Sequence, residues 1–179
     1  MCTPVGHTLA GLSVLNWQTT KGRSQSWMRI LWIAIAANLP DIDFLFGWFS
    51  GNPNQYHQEM THSLLFTAGM VGIVWWLARS SFDGFPLHGL LMLAAAAGLH
   101  LLLDILGSDT RPPVGIPLFW PFSEIRVSSP WSVFPSVYKS SDSSTFIRSL
   151  LSLHNLKVAG VETGVIGGVY WLFRSMRSR

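Results

Sequence analysis

The sequence predicts an all-α protein whose helices form a bundle within a membrane. Only 12% of its 179 residues are charged, whereas 49% are hydrophobic; soluble domains carry about 25% charged residues. A soluble domain of this length has too small an interior to hide so much apolar surface, because much of its surface must face water. The nine tryptophans agree with this class, since indole rings favour the interface between lipid and water.

Five apolar segments have the composition of helices within a single integral membrane domain, residues 1–179. The third and fourth approach the ~20 residues that cross the hydrocarbon of a bilayer. The first is short, so it either crosses in part or lies obliquely. Pro40 predicts that the second helix bends or stops near Asn38 and Leu39, because proline has no N–H to donate. The predicted helices cover residues 4–17, 27–49, 61–78, 86–106 and 158–173.

A long segment, residues 107–157, separates the last two predicted helices. Connections of this length are usually functional or disordered. The segment is rich in serine and proline, but residues 116–122 are apolar and aromatic. We therefore expect it to pack as a cap over the helix ends, with the stretch around Trp120 able to close over a bound substrate.

The basic residues predict the orientation of the chain in the membrane. With five crossings, one side of the membrane receives Lys21, Arg23, Arg29, Arg79, Arg174, Arg177 and Arg179. Because short cytoplasmic loops are enriched in lysine and arginine, this side and the C-terminus are predicted to be cytoplasmic. The N-terminus and the long segment are then extracytoplasmic.

The sequence has no aromatic and basic platform typical of nucleic-acid binding, so we expect no nucleic-acid partner. The single Cys2 excludes an intrachain disulfide.

On this map, ionisable side chains gather at the outer ends of the helices, although the topology was assigned from lysine and arginine alone. Eight potential ligands lie at the predicted outer ends of the helices: His7, Asp41, Asp43, His57, His62, His100, Asp104 and Glu162. Such groups are costly inside a membrane and usually functional. Their convergence predicts a site on one side of the membrane.

The spacing of these residues suits a metal site. His100 and Asp104 are four residues apart, so a helix places both on one face. Asp41 and Asp43 follow a proline, where a turn can aim both at one ion. His57 and His62 flank the start of the third helix, which we expect Thr61 to cap. Imidazole and carboxylate donors together suit Zn²⁺, and also Mn²⁺ or Fe²⁺.

Simpler interpretations exist for the individual residues. His7 alone is typical of an interfacial histidine, and Glu162 of a hydrogen-bonded polar residue between helices. Asp41 and Asp43 can cap the next helix, and Glu59 reads as a solvated loop residue. The donors outnumber the ligands of one tetrahedral ion, so either two metal ions bind or some residues orient the ligands.

Several short motifs occur in a fixed order along the chain. They are Gly6-His7-Thr8, Leu39-Pro40-Asp41-Ile42-Asp43, His57-x-x-x-Thr61-His62-Ser63, His100-x-x-x-Asp104 and the stretch from Gly115 to Phe122. In this order they resemble the YdjM-like membrane-bound metal-dependent hydrolases, over residues 6–122 and with a further match at Glu162. One departure is Gln58-Glu59, where relatives tend to have Arg-Gly; this removes a cation that can bind phosphate, for which Arg111 or Arg126 is a candidate replacement.

The resemblance implies an integral membrane protein of a prokaryotic inner or plasma membrane, with a His/Asp metal site and hydrolase activity that is often described as phospholipase-like. Together with the spacing, the resemblance implies that the metal ligands are His7, Asp41, Asp43, His62, His100 and Asp104. We expect them to hold one or two divalent ions, with Zn²⁺ as the first choice. His57 and Glu162 are candidate acid/base residues or further ligands.

We therefore expect metal-dependent hydrolysis of a lipid or lipid-linked phosphoester at the outer membrane–water interface. An activated water would equally serve a metal-dependent deacylase or amidase, so that enzyme class stays open. A non-catalytic metal-binding or transport protein is the alternative from another class. A transporter, however, places polar groups at several depths, whereas residues 71–77 and 90–97 are almost purely apolar. A structural scaffold with an incidental polar cluster is the third alternative.

Overall fold

The computed structural model describes residues 1–17, 26–81 and 87–177. Within these ranges the chain forms seven α-helices and no β-strand. They are α1 (Pro4–Ser13), α2 (Ser26–Asn38), α3 (Asp43–Phe49), α4 (Leu64–Ser81), α5 (Leu87–Leu106), α6 (Ser143–Leu150) and α7 (Leu153–Arg177). The all-α class is as predicted, but the helix count is higher than the expected five. Lys21, Arg23 and Arg179, which support the predicted orientation, lie outside the described residues, as does residue 86, the predicted start of the fourth helix.

The predicted second helix is divided into two pieces. A short 3-10 turn, Pro40–Ile42, separates α2 from α3, and the two halves are bent by 66°. Pro40 explains the break, because it cannot donate a hydrogen bond to the preceding turn. The bend turns Asp41 and Asp43 away from the line of α2.

The predicted loop of residues 107–157 contains two pieces of helix that the sequence analysis missed. Asp142 caps α6, where its side chain accepts a hydrogen bond from the Ser144 N–H at 2.7 Å. The start of α7 at Leu153 lies before the predicted position 158. Its first turn carries the polar residues His154 and Asn155, so apolar composition alone does not indicate a helix there.

The expected cap of the third helix is also different. Thr61 lies in a 3-10 turn, Met60–His62, and α4 begins only at Leu64. Ser63 is the residue whose side chain accepts a hydrogen bond from the first turn, from Phe66 N–H at 3.2 Å. This frees the Thr61 hydroxyl for a contact in the site described below.

Two helices are long and apolar enough to cross a membrane: Leu87–Leu106 and Leu153–Met176. The bent pair Trp27–Asn38 and Pro40–Phe49 makes a third span if it is counted as one, and Leu64–Ser80 is a shorter apolar helix. The glycines of α7 do not mark a close helix contact among the described residues. An added Cβ would meet none of their atoms within 4 Å at Gly160, Gly164, Gly167 or Gly168.

An apolar core joins α2, α4 and α5. Its buried residues are Ile33, Ala36, Ala37, Val71, Val74, Ala78, Leu93, Ala96 and Ala97. The alanines allow a close approach of the helices, and α1 packs against the same cluster: a Cβ at Gly11 would lie 2.6 Å from that of Ala37. Burial of such side chains stabilises the bundle by about 25 cal/mol per Å² of apolar surface. The core fixes the relative positions of the helix ends above it.

Residues 107–142 pack across the end of α5 and the start of α4. The last carbonyls of α5 accept hydrogen bonds from this segment, with Ser129 N–H bound to Ile105 O and Val133 N–H to Leu106 O, both at 2.8 Å. Leu64 N–H, at the start of α4, donates to Leu118 O at 2.9 Å. These contacts satisfy helix-end groups that have no partner within their own helix, and they bring the segment next to the polar cluster.

Candidate metal centre

Four donor residues meet where the ends of three segments converge. Asp41 lies in the turn after α2, His62 in the turn before α4, and both His100 and Asp104 on α5. One donor atom from each lies within 4.8 Å of all the others. We name these four residues the first donor group. His100 and Asp104 share a helix face, as their spacing predicts.

The distances within the first donor group are compatible with the ligands of one metal ion. His62 Nε2 lies 3.3 Å from Asp104 Oδ2, 3.6 Å from Asp41 Oδ1 and 3.3 Å from His100 Nε2. His100 Nε2 lies 3.7 Å from each of the same two carboxylate oxygens. Metal–nitrogen bonds of about 2.0–2.1 Å in a tetrahedron separate the donors by about 3.3 Å. The five separations therefore fit a small divalent cation.

The His100 ring is oriented for ligation. Its Nδ1 lies 2.8 Å from the carbonyl oxygen of Ala37, a buried acceptor on α2. A carbonyl can only accept, so Nδ1 carries the proton and the lone pair is on Nε2, the atom that faces the first donor group. A backbone carbonyl that fixes the free ring nitrogen is typical of metal-bound histidine.

A second donor group, Asp43, His57 and His62, adjoins the first and shares His62. His57 Nδ1 lies 3.0 Å from Asp43 Oδ1, and Asp43 Oδ2 accepts from the Thr61 hydroxyl at 2.8 Å. Asp43 Oδ2 also accepts from Gln58 N–H at 3.1 Å. Gln58 adopts a φ of 61°, a left-handed backbone that costs about 1–2 kcal/mol for a residue other than glycine. The turn thus holds Asp43 in a fixed position between two imidazoles.

His7 lies against the first donor group without belonging to it. Its ring is fully buried and stacks on that of His100, with centroids 3.7 Å apart and planes at 19°. Its Nε2 lies 3.3 Å from Asp104 Oδ1 but without hydrogen-bond geometry, so neither ring nitrogen has a hydrogen-bond partner among the described residues. Asp41 Oδ1 is likewise buried and lacks one. Buried polar atoms are rarely left unsatisfied, and a cation would satisfy these.

The donor chemistry therefore fits a divalent metal ion. The two groups consist of imidazoles and carboxylates, the ligands shared by Zn²⁺, Mn²⁺ and Fe²⁺. Of the eight residues expected at the site, the groups contain Asp41, Asp43, His57, His62, His100 and Asp104.

Glu162, which with His7 lies outside the two groups, is buried and faces the N-terminal residues. Its carboxylate accepts hydrogen bonds from Thr3 N–H at 2.8 Å and from the Thr3 hydroxyl. The same hydroxyl caps α1 by accepting from Gly6 N–H at 3.1 Å. Cys2 N–H in turn donates to Asp104 Oδ1 at 3.2 Å. The Cys2 thiol is buried, and this burial raises its pKa. Glu162 thus connects to the donors through residues 1–3.

One cation near the site is absent from the sequence-based expectations. Lys139 is 8% exposed, and its Nζ lies 3.0 Å from Met1 Sδ. The other neighbour of this sulfur is His57 Nε2 at 3.2 Å. Burial, and then the charge of Lys139, lower the pKa of His57. Nothing in a serine-rich stretch of sequence indicates that Lys139 would reach residues so distant along the chain.

The two arginines expected as phosphate-binding replacements are used elsewhere. Arg126 pairs with the half-exposed Glu59 at 3.2 Å and donates to Gln58 O at 2.6 Å and Gly115 O at 3.0 Å. Arg111 donates to Lys139 O at 2.5 Å and to the Ser141 hydroxyl at 3.0 Å. Both guanidinium groups therefore hold the long segment in place.

Known proteins similar to this chain are inner membrane proteins. The family described as YdjM inner membrane protein matches residues 1–178. The chain is 34% identical over 102 residues to the inner membrane protein YbcI of Escherichia coli (strain K12), an alignment that covers 55% of this chain and 57% of that protein. The chain thus matches little more than half the length of this curated relative, and no solved structure matches it significantly. Because the family match covers nearly the whole sequence, the chain belongs to the YdjM family of inner membrane proteins.

Proposed function

We propose that this protein is a membrane-embedded metal-dependent hydrolase that acts on a lipid or lipid-linked phosphoester at the extracytoplasmic membrane–water interface. One observation carries the proposal: the four donor atoms of the first donor group converge within 4.8 Å at one end of an apolar bundle. The tautomer of His100 and the unpartnered atoms of His7 and Asp41 support the same conclusion.

The first donor group would hold one ion, and Asp43 and His57 would hold a second ion with His62 or orient the ligands of the first. A bound ion of this kind supplies an activated water and a positive charge at the reacting oxygen of the substrate. Zn²⁺ is the first choice, because its tetrahedral geometry agrees with the distances between donors.

The protein's own residues supply proton transfer and positioning. Asp43 fixes the His57 ring from one side at 3.0 Å, and the Phe44 ring stacks on it with centroids 4.0 Å apart. His57 Nε2 then points to the side occupied by Met1, away from the carboxylates. We assign His57 the acid/base role, since a positioned imidazole contributes typically 10²–10⁴-fold to hydrolysis. We assign Glu162 a structural role, in which its hydrogen bonds to Thr3 keep residues 1–3 and α1 in position.

An amphiphilic substrate agrees with the surface near the site. The segment that packs over α5 exposes large apolar side chains, with Phe122 at 85% and Trp131 at 81% exposure. Phe49, at the end of α3, is 88% exposed. Tryptophan side chains such as Trp131 favour the headgroup region of a membrane, and the exposed phenylalanines add apolar surface for lipid contact. A lipid can therefore keep its chains in the bilayer while its headgroup reaches the donors.

The apolar core argues against a transport path. Directly below His100 on α5 lie the buried residues Ala97, Ala96 and Leu93, which pack on α2 and α4. A conduit would need polar or water-filled space along the helices. The buried core residues at this level of α2, α4 and α5 are valine, leucine, isoleucine and alanine, which favours a site that opens on one side.

The test is hydrolysis of mixed phospholipids by the purified, metal-loaded protein, with headgroup and fatty-acid release measured separately. We expect headgroup or phosphoester cleavage in wild type and loss of both metal and activity in Asp104→Asn. His57→Gln should keep the ion of the first donor group, with turnover slowed about 10²–10⁴-fold. His88→Gln is the matched control, because His88 is exposed near the other end of α5. Fatty-acid release alone would instead support a deacylase, and a metal-loaded wild type that releases neither product would refute the hydrolase.

A further inference from the structure

Lys139 is a buried cation with an inadequate partner. It is 8% exposed, and no described carboxylate pairs with it. Its contacts are Met1 Sδ at 3.0 Å and the face of the Phe44 ring at 5.3 Å from the centroid. Lysine is almost never buried unless it is paired, and a thioether is only a weak hydrogen-bond acceptor.

The Met1 sulfur marks a point where two nitrogens converge. Lys139 Nζ lies at 3.0 Å and His57 Nε2 at 3.2 Å from the same atom. An ammonium group has three donors and no acceptor. An anionic oxygen at the position of the sulfur would accept a hydrogen bond from the ammonium group, and from His57 Nε2 when that ring is protonated. It would also give the ammonium the strong acceptor that it lacks.

The backbone around Lys139 is fixed on three sides. Arg111 donates to Lys139 O at 2.5 Å, and Ser140 N–H donates to the Ser149 hydroxyl at 2.8 Å. The side chain of Asn155, on α7, forms two hydrogen bonds with the Tyr138 backbone, at 2.8 and 2.6 Å. A buried charge supported in this way is held in position for a ligand, as functional sites require.

Lys139 also keeps its charge near neutral pH. Burial lowers the pKa of its ammonium group to about 8, while Asp41 and Asp104 act in the opposite direction. Lys139 Nζ and His57 Nε2 contact the same Met1 sulfur, and His57 belongs to the second donor group, so Lys139 stands beside the centre where the reacting group of a substrate would be held.

We propose that Lys139 is an anion-binding residue of this site and receives a phosphoryl oxygen of the substrate at the point now occupied by the Met1 thioether. The proposal rests on the proposed function and deepens it, because it selects phosphate-bearing substrates over neutral acyl esters and amides. Binding requires the flexible Met1 side chain to move aside. Lys139 supplies charge and hydrogen bonds to the substrate, and His57 the proton transfer next to it.

Binding of inorganic phosphate to the metal-loaded protein in detergent tests this proposal by calorimetry. We expect the dissociation constant to rise about tenfold or more in Lys139→Gln, as loss of a charge-assisted hydrogen bond predicts, and to change little in Lys139→Arg. Lys157→Gln is the matched control, since Lys157 is exposed on α7. Metal content, measured on every variant, shows that the donors are intact. Wild-type affinity in a metal-loaded Lys139→Gln would overturn the proposal.

A second measurement needs no variant of Lys139. In wild type labelled on its six methionine methyl groups, phosphate should shift the Met1 signal, which is assigned by substituting the other five. An unchanged Met1 signal at saturating phosphate would also overturn the proposal.

The Lys139 proposal and the proposed hydrolase function fail in different ways. Lys139-dependent phosphate binding without phosphoester cleavage would leave Lys139 assigned and refute the hydrolase. Cleavage with Lys139-independent phosphate binding would do the reverse.

Discussion

His62 Nε2 and His100 Nε2 lie 3.3 Å apart, and carboxylate oxygens of Asp41 and Asp104 lie within 3.7 Å of both. The His100 nitrogen presents a lone pair, because its other nitrogen donates to Ala37 O. Although burial acts against the charged ring, the contacts of His62 with Asp104, Asp41 and Asp43 raise its pKa well above the usual value. This point of the molecule therefore attracts positive charge, as a metal centre must.

The residues that orient the donors should matter nearly as much as the donors. Thr61 donates its hydroxyl hydrogen bond to Asp43 at 2.8 Å inside the site, and loss of such a contact typically costs 10–100-fold in metal affinity. We therefore expect Thr61→Val to weaken metal binding by about that factor, measured by competition with a chelator. Thr163→Val is the control, since the exposed Thr163 hydroxyl donates to the Ala159 carbonyl of its own helix. Equal weakening in both variants would contradict the role of Thr61.

Gly6 is predicted to allow the close packing of α1 on α7. A Cβ at this position would overlap the Glu162 carboxylate, which is buried and held by Thr3. Gly6→Ala should therefore lower the free energy of unfolding by about 1–3 kcal/mol, as overpacking does. Gly164→Ala, where an added Cβ meets nothing within 4 Å, should be neutral or stabilising by up to about 1 kcal/mol from helix propensity. Thermal unfolding in detergent compares the two; an equal response would disprove the close contact.

Cys2 should be an unreactive thiol in the folded protein. It is fully buried, and burial raises its pKa, so little of the reactive thiolate is present. We expect alkylation by iodoacetamide at pH 8 to be slow in the native protein and rapid after denaturation, with mass spectrometry as the readout. Native alkylation as fast as that of the denatured chain would show that residues 1–3 do not pack against α5.

The same reagent separates two roles of Glu162. If Glu162 holds residues 1–3, then Glu162→Ala removes the acceptor of both Thr3 hydrogen bonds, and Cys2 alkylation should accelerate at least tenfold, about the effect of losing a hydrogen bond to a charged group. An acid/base role predicts instead that turnover falls while Cys2 stays protected. The second outcome would return Glu162 to the catalytic role that its place in the sequence suggested.

Much of the site follows from local patterns in the sequence. The spacing of His100 and Asp104 predicts one helix face, and Pro40 predicts the bend that carries Asp41. The apolar composition and the order of motifs predict the membrane class and the family. These features depend on residues that are near one another along the chain, where helix geometry and proline chemistry determine the outcome.

Other features depend on contacts between distant residues. Lys139 meets Met1 across 138 positions, and Cys2 meets Asp104 across 102. No periodicity indicates such pairs, because they form only after the long segment packs on the helix ends. Ser63 replaced Thr61 as the cap of α4 for a related reason: the Thr61 hydroxyl binds Asp43 instead. The short helix α6 was missed because its sequence is polar.

The most direct test of the account is the metal content of the purified protein by elemental analysis. We predict one or two divalent ions per chain in wild type, corresponding to the two donor groups. Asp104→Asn and His62→Gln should lose metal, whereas the same substitutions at exposed positions, Asp142→Asn and His88→Gln, should retain it. Wild type without stoichiometric metal, or full metal content in Asp104→Asn and His62→Gln, would contradict the metal centre.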